Sequence, residues 1–277
     1  MGLNDDLREL EAEGTPIQMG LVGAGQMGRG LISQVEMMRG MRVVAVADLF
    51  VDRVVEAYRH AGVPDDNIVV AEDITTASEA VATGKRVATT LASLLPAIED
   101  VEAIVDASGV PEVGATVALN TILHRKHVVM LTVETDVTVG YMLRSMAEAA
   151  GVVYTVSAGD EPGAIKELYD FADALGFEIV AAGKGKNNPL NRKATPDTLA
   201  AEAAAKEMNA KMLVSFVDGT KTMVEMTAVA NATGLVPEVR GMHGPTTTVA
   251  DLPKVFSLRE QGGILQRSGV VDYALGV

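Results

Sequence analysis

The sequence predicts an α/β protein with a doubly wound parallel sheet, followed by a second α+β region. Short apolar runs alternate with segments of helical spacing over residues 1–158, a pattern typical of parallel strands connected by helices. The apolar runs are nearly continuous, as expected for strands that are buried on both faces. Because the alternation changes after residue 158, we expect two domains, 1–158 and 159–277, in a chain that is 48% hydrophobic and 22% charged.

The elements of the first domain follow from this alternation. Ligands of such sheets bind at the carboxyl ends of the strands, so the loops at 23–28, 108–109, 133–135 and 157–163 are expected to face one cleft. The helix expected at 73–83 would be capped by Asp73 or Thr75. Pro111 occupies a favoured first position of the helix expected at 111–125. The expected strands are 17–22, 42–48, 67–71, 101–109, 126–131 and 152–156, and the expected helices are 27–38, 51–60, 73–83, 111–125 and 139–150.

Three glycines with G-x-G-x-x-G spacing, Gly23, Gly25 and Gly28, connect the first strand to the first helix. In isolation this spacing also occurs in the glycine-rich turns of other doubly wound proteins. Here Asp48 ends the second strand about 20 residues after the motif, where a carboxylate accepts hydrogen bonds from ribose hydroxyls. Strand, glycines, helix and terminal acid together indicate a Rossmann-type site in which phosphates bind at the helix N-terminus.

The motif predicts NAD(H) or NADP(H) as cofactor and leaves the choice between them open. Asp48 repels a 2′-phosphate and favours NAD, whereas Arg53 is near enough to pair with one. Ser108 and Gly109, which follow the fourth expected strand, would border the nicotinamide or its ribose, or else form a simple turn. The predicted cofactor-binding residues are Gly23, Ala24, Gly25, Gln26, Met27, Gly28, Asp48, Arg53, Ser108 and Gly109.

The second region is expected to form the substrate and dimerisation part of the protein. Its expected elements are helices at 164–175 and 211–233, a strand at 177–183 and an alanine-rich helix that ends near Glu207. The residues from Gly241 onward contain glycine and proline turn signals without a closing element. We therefore expect the natural chain to continue past Val277 into a further domain.

Composition and charge exclude several classes of function. The chain has no cysteine, which excludes disulfides, thiolate metal sites and cysteine nucleophiles. Its net charge of −14 argues against nucleic-acid or membrane-surface binding, so an anionic small-molecule substrate requires a local basic cluster. The acidic N-terminus lacks a basic apolar leader, and no stretch has the length of a membrane span, so a cytoplasmic location is expected. A homodimer is expected from the prevalence of two-fold symmetric oligomers.

A basic cluster follows the strand predicted at 177–183. Residues 184–193 contain four cationic side chains and three asparagines but no acid. Such a cluster binds a phosphate or carboxylate, although a solvated basic loop has the same composition. Lys184 and Lys186 are candidate catalytic residues because desolvation allows a lysine to exchange a proton with substrate. Asn187, Asn188 and Lys193 are candidate substrate ligands.

Further polar residues are candidates for the chemistry. Asp160 and Glu161 are adjacent carboxylates that bind Mg²⁺ or Mn²⁺, act as a base, or cap the following helix. Lys221 and Glu225 lie four residues apart on one helix face, as either a structural ion pair or a substrate-facing lysine with its orienting acid. His243 is expected on a loop and is a candidate substrate ligand.

Several of these motifs resemble those of the homoserine dehydrogenase-like NAD(P)-dependent oxidoreductases. The shared segments are the glycine motif, Asp-Ala-Ser-Gly-Val-Pro at 106–111, Lys-His-Val-Val at 126–129 and Gly-Asp-Glu-Pro-Gly at 159–163. Three others resemble a branch of SAF-domain-type oxidoreductases that includes a bacterial reductoisomerase-like enzyme. These are Gly-Lys-Gly-Lys-Asn-Asn at 183–188, Asp-Gly-Thr-Lys at 218–221 and Arg-Gly-Met-His-Gly-Pro at 240–245.

This resemblance implies an oxidoreductase that acts on a CH–OH group. The branch implies NADPH-dependent conversion of 1-deoxy-D-xylulose 5-phosphate to 2-C-methyl-D-erythritol 4-phosphate, an isoprenoid precursor. Lys184, Lys186 and Asn187 would hold the phosphate, and a metal at Asp160 or Glu161 would bind the vicinal oxygens. Oxidation of a small hydroxy or amino acid, as in homoserine dehydrogenases, is the alternative, although Leu-Thr-Val-Glu at 131–134 replaces their Ala-Asn-Lys pattern. A third class is a non-catalytic NAD(P) sensor.

Overall fold

The computed structural model describes residues 2–206 and 208–277. It divides the chain into two compact units, one that ends at Ser157 and one of Ala158–Val277. The predicted α/β fold class is confirmed, with a Rossmann-type parallel sheet in the first unit and a mixed helix and strand region in the second. The functional roles assigned to the two domains remain predictions.

The first unit contains a seven-stranded sheet in which all neighbouring strands are parallel. The strand order is β3-β4-β2-β1-β5-β6-β7, so β1 to β4 form one side of the sheet, with β4 between β2 and β3, and β5 to β7 follow in order on the other side. The crevice at the carboxyl ends of β1 and β5 is where such sheets bind ligands. The strands are β1 (Ile17–Val22), β2 (Met41–Ala47), β3 (Ile68–Val70), β4 (Arg86–Thr89), β5 (Ala103–Asp106), β6 (His127–Met130) and β7 (Tyr154–Val156).

Helices connect these strands and cover the sheet. Asp73 is the N-cap of α4 and accepts a hydrogen bond from the backbone N–H of Thr76, which confirms one of the two predicted caps, and Pro111 begins α5 as expected. Leu21, Ile32 and Val46 pack in one core cluster, and Val87 and Ile104 in another. The helices are α1 (Leu3–Glu13), α2 (Gln26–Met37), α3 (Val51–His60), α4 (Ile74–Ala82), α5 (Pro111–Leu123) and α6 (Val133–Ala150).

Two features of the first unit differ from the sequence prediction. Strand β4 was not expected, because its four residues contain only one bulky apolar side chain, Val87, and begin with Arg86. Helix α6 begins at Val133, so the loop predicted at 133–135 is wrong. Val133 and Thr135 are buried in its first turn, and packing against the sheet therefore extends the helix toward the strand.

The second unit is built around two parallel strands, β8 (Ala181–Lys186) and β9 (Val270–Leu275). Its small core contains Met226, Val229 and Val271. The helices are α7 (Glu161–Ala174), α8 (Ala200–Ala205), α9 (Ala210–Asp218), α10 (Thr220–Thr233) and α11 (Leu252–Val255). No helix among the described residues combines the length and apolar character that crossing a membrane requires.

Several predicted boundaries in the second unit are corrected. The strand expected at 177–183 lies at β8, and the long helix expected at 211–233 is interrupted at Gly219, whose φ of 93° ends α9. The segment predicted to lack a closing element contains β9, which is almost entirely buried. The predicted end of the alanine-rich helix, Glu207, lies outside the described residues.

Candidate active site

The glycine loop of the first unit has the geometry that dinucleotide binding requires. Gly23 has a φ of 101°, and a Cβ there would lie 2.6 Å from the carbonyl oxygen of Ala107. A Cβ on Gly28 would collide with the carbonyl oxygen of Gly23, so α2 packs against the loop only with glycine at this position. Gly25 is the N-cap of α2 and brings no side chain to the helix N-terminus. A phosphate fits this arrangement because backbone N–H groups there are available to it.

Asp48 fixes the loop from the end of β2. Its Oδ2 accepts a hydrogen bond from the backbone N–H of Ala24 at 2.8 Å, and its Oδ1 accepts one from Phe50 at 3.0 Å. The Arg53 guanidinium lies over the Phe50 ring, 4.4 Å from its centroid. The carboxylate that favours NAD is therefore held by two backbone donors, and the arginine that would favour NADP is stacked beside it.

The turn after β5 lies against the glycine loop. The backbone N–H of Ala107 donates to the carbonyl oxygen of Val22 at 2.8 Å. Gly109, with a φ of 67°, donates its N–H to the Thr132 hydroxyl at 3.1 Å. Ser108 and Gly109 thus occupy a fixed turn next to the first glycine of the motif, and their contact with a nicotinamide remains a prediction.

A cluster of charged side chains forms the polar centre of the second unit. The Lys184 ammonium on β8 lies 2.5 Å from a carboxylate oxygen of Glu161, at the start of α7, and 2.5 Å from one of Glu225, within α10. Glu225 is almost fully buried, with 3% of its side chain exposed, whereas Glu161 is 47% exposed. Lys221 lies 4.0 Å from the other oxygen of Glu225, which is a long distance for the predicted ion pair. Lys184 is therefore the closer partner of Glu225.

Burial and hydrogen bonds within this cluster shift the pKa values of its side chains. Burial alone lowers the pKa of Lys184, but hydrogen bonds to Glu161 and Glu225 outweigh it and raise that pKa. Burial raises the pKa of Asp160 to about 6, and its hydrogen bond with Glu161 adds to the increase. The same hydrogen bond, with help from Lys184, lowers the pKa of Glu161 to about 2. Lys184 is thus a stable cation, and Asp160 is the member of the acid pair that takes up a proton.

Asp160 also caps α7, because its Oδ1 accepts a hydrogen bond from the backbone N–H of Glu161 at 3.1 Å. Carboxylate oxygens of Asp160, Glu161 and Glu225 all lie within 4.8 Å of one another, which is a donor set suited to a hard divalent cation. Lys184, however, already bridges two of these three acids. The residues as arranged do not fit a metal ion, since a cation would have to displace the ammonium.

The other predicted residues of the basic cluster have different surroundings. Lys186 is buried, and its Nζ donates to the carbonyl oxygens of Asn188 and Phe216 at 2.9 and 2.6 Å. Burial and the nearby charge of Lys184 lower its pKa. Asn187, Asn188 and Lys193 are exposed. The structure therefore separates a lysine that binds main-chain carbonyls from polar groups that are open to solvent.

His243 is held by an acid that sequence reasoning missed. Its Nδ1 lies 2.7 Å from Oδ2 of Asp272, and its backbone N–H also donates to that carboxylate. Its Nε2 lies 3.3 Å from an oxygen of Glu238. Asp272 pairs in register with Gly183, and Tyr273 with Lys184. Because side chains alternate along a strand, Asp272 and Lys184 extend from opposite faces of the pair. The available signal was one acid within the apolar run at 270–275.

One family model matches the second unit. A family model described as the catalytic domain of oxidoreductase DRL matches residues 159–277. This match supports the predicted oxidoreductase class for the second unit. A comparison with curated proteins found no match.

Solved structures resemble the chain at low sequence identity. A probable dehydrogenase from Thermotoga maritima is 13% identical, with a TM-score of 0.52, over 94% of this chain and 69% of that one. An NAD binding oxidoreductase from Klebsiella pneumoniae is 17% identical, with a TM-score of 0.45, over 64% and 44% of the two chains. A myo-inositol dehydrogenase from Lactobacillus casei, solved with NAD(H) and myo-inositol, is 16% identical, with a TM-score of 0.44, over 68% and 50%. The chain thus spans half or less of the length of the last two, and the Thermotoga protein supports a shared fold.

Proposed function

We propose that this chain is an NAD(P)H-dependent oxidoreductase that interconverts a carbonyl and a CH–OH group on a small substrate. The observation that carries the proposal is Lys184, a lysine kept protonated between Glu161 and Glu225 in the unit that matches an oxidoreductase catalytic domain. The glycine loop and Asp48 support a nicotinamide dinucleotide as cofactor.

In the reductive direction, a bound nicotinamide supplies a hydride to the carbonyl carbon. Lys184 orients the carbonyl oxygen and donates a proton to it, so that an alcohol forms. Glu161 and Glu225 hold the ammonium in place, and Glu161 is hydrogen-bonded to Asp160, which takes up a proton near neutral pH. Asp160 and Glu161 then return a proton to Lys184 after each turnover.

For the cofactor, we favour NADH over NADPH. Asp48 would have to turn away to admit a 2′-phosphate, and this movement would break its hydrogen bonds from Ala24 and Phe50. Leaving these donors unsatisfied costs about 1–3 kcal/mol for each one that is buried. Arg53 remains close enough to attract a 2′-phosphate, which is the reason to measure both cofactors.

For the substrate, we favour a phosphorylated hydroxyketone, with 1-deoxy-D-xylulose 5-phosphate as the specific candidate. The motifs at 183–188, 218–221 and 240–245, which resemble those of the reductoisomerase-like branch, support it. The exposed side chains of Asn187, Asn188 and Lys193 are available to bind the phosphate. Homoserine and related hydroxy acids are the second class to test. Since Lys184 occupies the centre of the carboxylate cluster, the proposal involves no metal-dependent step.

The test measures the loss of reduced nicotinamide absorbance with NADH and NADPH, using 1-deoxy-D-xylulose 5-phosphate and then homoserine-type substrates, with and without Mn²⁺. We expect turnover by the wild type and a loss of at least about a hundredfold in kcat for Lys184→Met. Lys206→Met, which removes an exposed lysine of the same unit, is the matched control. Cofactor binding without turnover of any substrate would contradict the proposal, and strict dependence on Mn²⁺ would contradict its metal-free form.

A further inference from the structure

A buried acid ends the strand beside the glycine loop. Asp106 is the last residue of β5 and has no exposed surface. Its Oδ1 accepts a hydrogen bond from the backbone N–H of Ser108 at 3.3 Å. Its Oδ2 is also buried, and it has no hydrogen-bond partner among the described residues. A carboxylate oxygen in this position would carry uncompensated charge, which is costly in a protein interior.

The surroundings of Asp106 favour its neutral form. A Cβ on Gly114 of α5 would lie 2.7 Å from Oδ2, and the hydroxyl of Thr135 and the methyl group of Met130 border the same space. Thr132 also forms a hydrogen bond with the carboxyl. Burial raises the pKa of Asp106, and these hydrogen bonds only partly oppose it. Among the titratable groups on the neighbouring α6 and β7, Asp136 and Tyr154 bond to each other at 3.1 Å and supply no positive charge, and Arg144 of α6 is paired with Glu148.

The same segment contacts the cofactor loop. Asp106 pairs in register with Val22, the residue that precedes Gly23. The carbonyl group of Ala107 packs against Gly23 so closely that no Cβ fits there. Thr132, which contacts Asp106, also accepts the N–H of Gly109. Asp106 therefore holds the turn at 108–109 through its hydrogen bond from Ser108, and the glycine loop packs against the residue that precedes this turn.

We propose that Asp106 positions this turn for the nicotinamide as a neutral acid, and that its ionisation shifts the preference of the site from NADH toward NAD⁺. The proposal rests on the proposed function, since it places the nicotinamide next to Ser108 and Gly109. The oxidised ring carries a positive charge and the reduced ring does not. A carboxylate nearby stabilises the oxidised form alone, whereas a protonated acid does not distinguish the two.

The experiment measures the dissociation constants of NADH and NAD⁺ by calorimetry from about pH 5 to about pH 9, for the wild type, Asp106→Asn and Asp106→Ala. In the wild type we expect the ratio of the NADH constant to the NAD⁺ constant to rise on the order of tenfold as Asp106 ionises. Asp106→Asn keeps the shape of the acid but cannot ionise, so its ratio should not change with pH. Asp106→Ala loses the bond to Ser108 and should bind both forms about fivefold more weakly at every pH.

Asp136→Asn is the matched control, because Asp136 is a half-buried acid of the same unit whose pKa burial also raises. It should keep the wild-type pH dependence, and thermal unfolding shows which variants are folded. An Asp106→Asn ratio that follows the wild type, or an Asp136→Asn ratio that becomes flat, would overturn the inference. Absence of NAD(H) binding in the folded wild type would instead overturn the proposed function.

Discussion

Two buried acids, one in each unit, meet the same physical problem in different ways. Asp106 in the first unit is surrounded by hydroxyl groups and apolar atoms, without a cation. Glu225 in the second unit is equally buried but lies 2.5 Å from the Lys184 ammonium. Burial raises the pKa of both, and only for Glu225 does a cation oppose the increase. The increase is thus opposed by hydrogen bonds alone at Asp106 and by an ammonium group at Glu225.

Removing the counter-ion should have the largest effect. Lys184→Met leaves the buried Glu225 with only the more distant Lys221 ammonium, 4.0 Å away, which should lower the free energy of unfolding by about 3 kcal/mol at neutral pH. The loss should shrink as pH falls, because a protonated Glu225 needs no counter-ion. Urea unfolding at several pH values measures both effects. Lys206→Met breaks an exposed pair with Glu202 and should change stability by less than about 0.5 kcal/mol; an equal loss in both variants would argue against the buried ion pair.

The half-buried acid Asp48 extends the comparison, because backbone N–H groups stabilise its charge. Asp48→Ala leaves the N–H of Ala24 without its acceptor and removes the repulsion of a 2′-phosphate. We expect NADH affinity to fall about tenfold and the preference for NADH over NADPH to narrow. Calorimetric titration with both cofactors measures the change, with Asp52→Ala on the exposed surface of α3 as control. If the ratio of NADH affinity to NADPH affinity did not change in Asp48→Ala, Asp48 would not be the residue that selects between the two cofactors.

Lys186 sharpens the comparison within β8, since it is a buried lysine bound to carbonyl oxygens and not to acids. Lys186→Met should lower stability by about 1–2 kcal/mol and leave the KM of a phosphorylated substrate unchanged. Denaturation and steady-state kinetics on the same preparation separate these outcomes. An increased KM with unchanged stability would return Lys186 to the substrate site.

The smallest expected effect concerns the pH dependence of stability in the first unit. Because the pKa of Asp106 is raised in the folded state, its stabilising contribution is present below the unfolded pKa and is lost as pH rises through the folded one. Asp106→Asn should remove this slope, which amounts to at most one proton bound per molecule. Urea unfolding across the acid to neutral range tests it, and an identical slope in both proteins would show that Asp106 does not titrate there.

The first unit was largely predictable because its strands and helices carry their signals locally. Apolar runs, the glycine spacing and Asp48 each lie within a short window of sequence, and β1 and α3 have the predicted bounds. The sequence pattern did not predict strand β4, because the flanking strands β2 and β3 stabilise it more than its own composition does. The start of α6 was also set by burial against the sheet, which no local pattern reveals.

The candidate site of the second unit was predictable in its residue types but not in their pairing. The sequence pairs Lys221 with Glu225 by their spacing on one helix, whereas the structure gives Glu225 a closer partner, Lys184, from a strand. Similarly, Lys184 and Lys186 look equivalent in the sequence and have different partners in the fold. Contacts between distant segments depend on the packing of β8 against α7 and α10, so spacing alone could not assign them.

The pairing of β8 with β9 has a consequence for how the second unit forms during synthesis. The two strands join positions about 90 residues apart in sequence, and such distant pairings fold slowly because a long loop must close first. At about 5–20 residues per second, β8 leaves the ribosome several seconds before its partner strand. During that interval Lys184 and its neighbouring glycines have no strand beside them, while the sheet of the first unit has all of its strands.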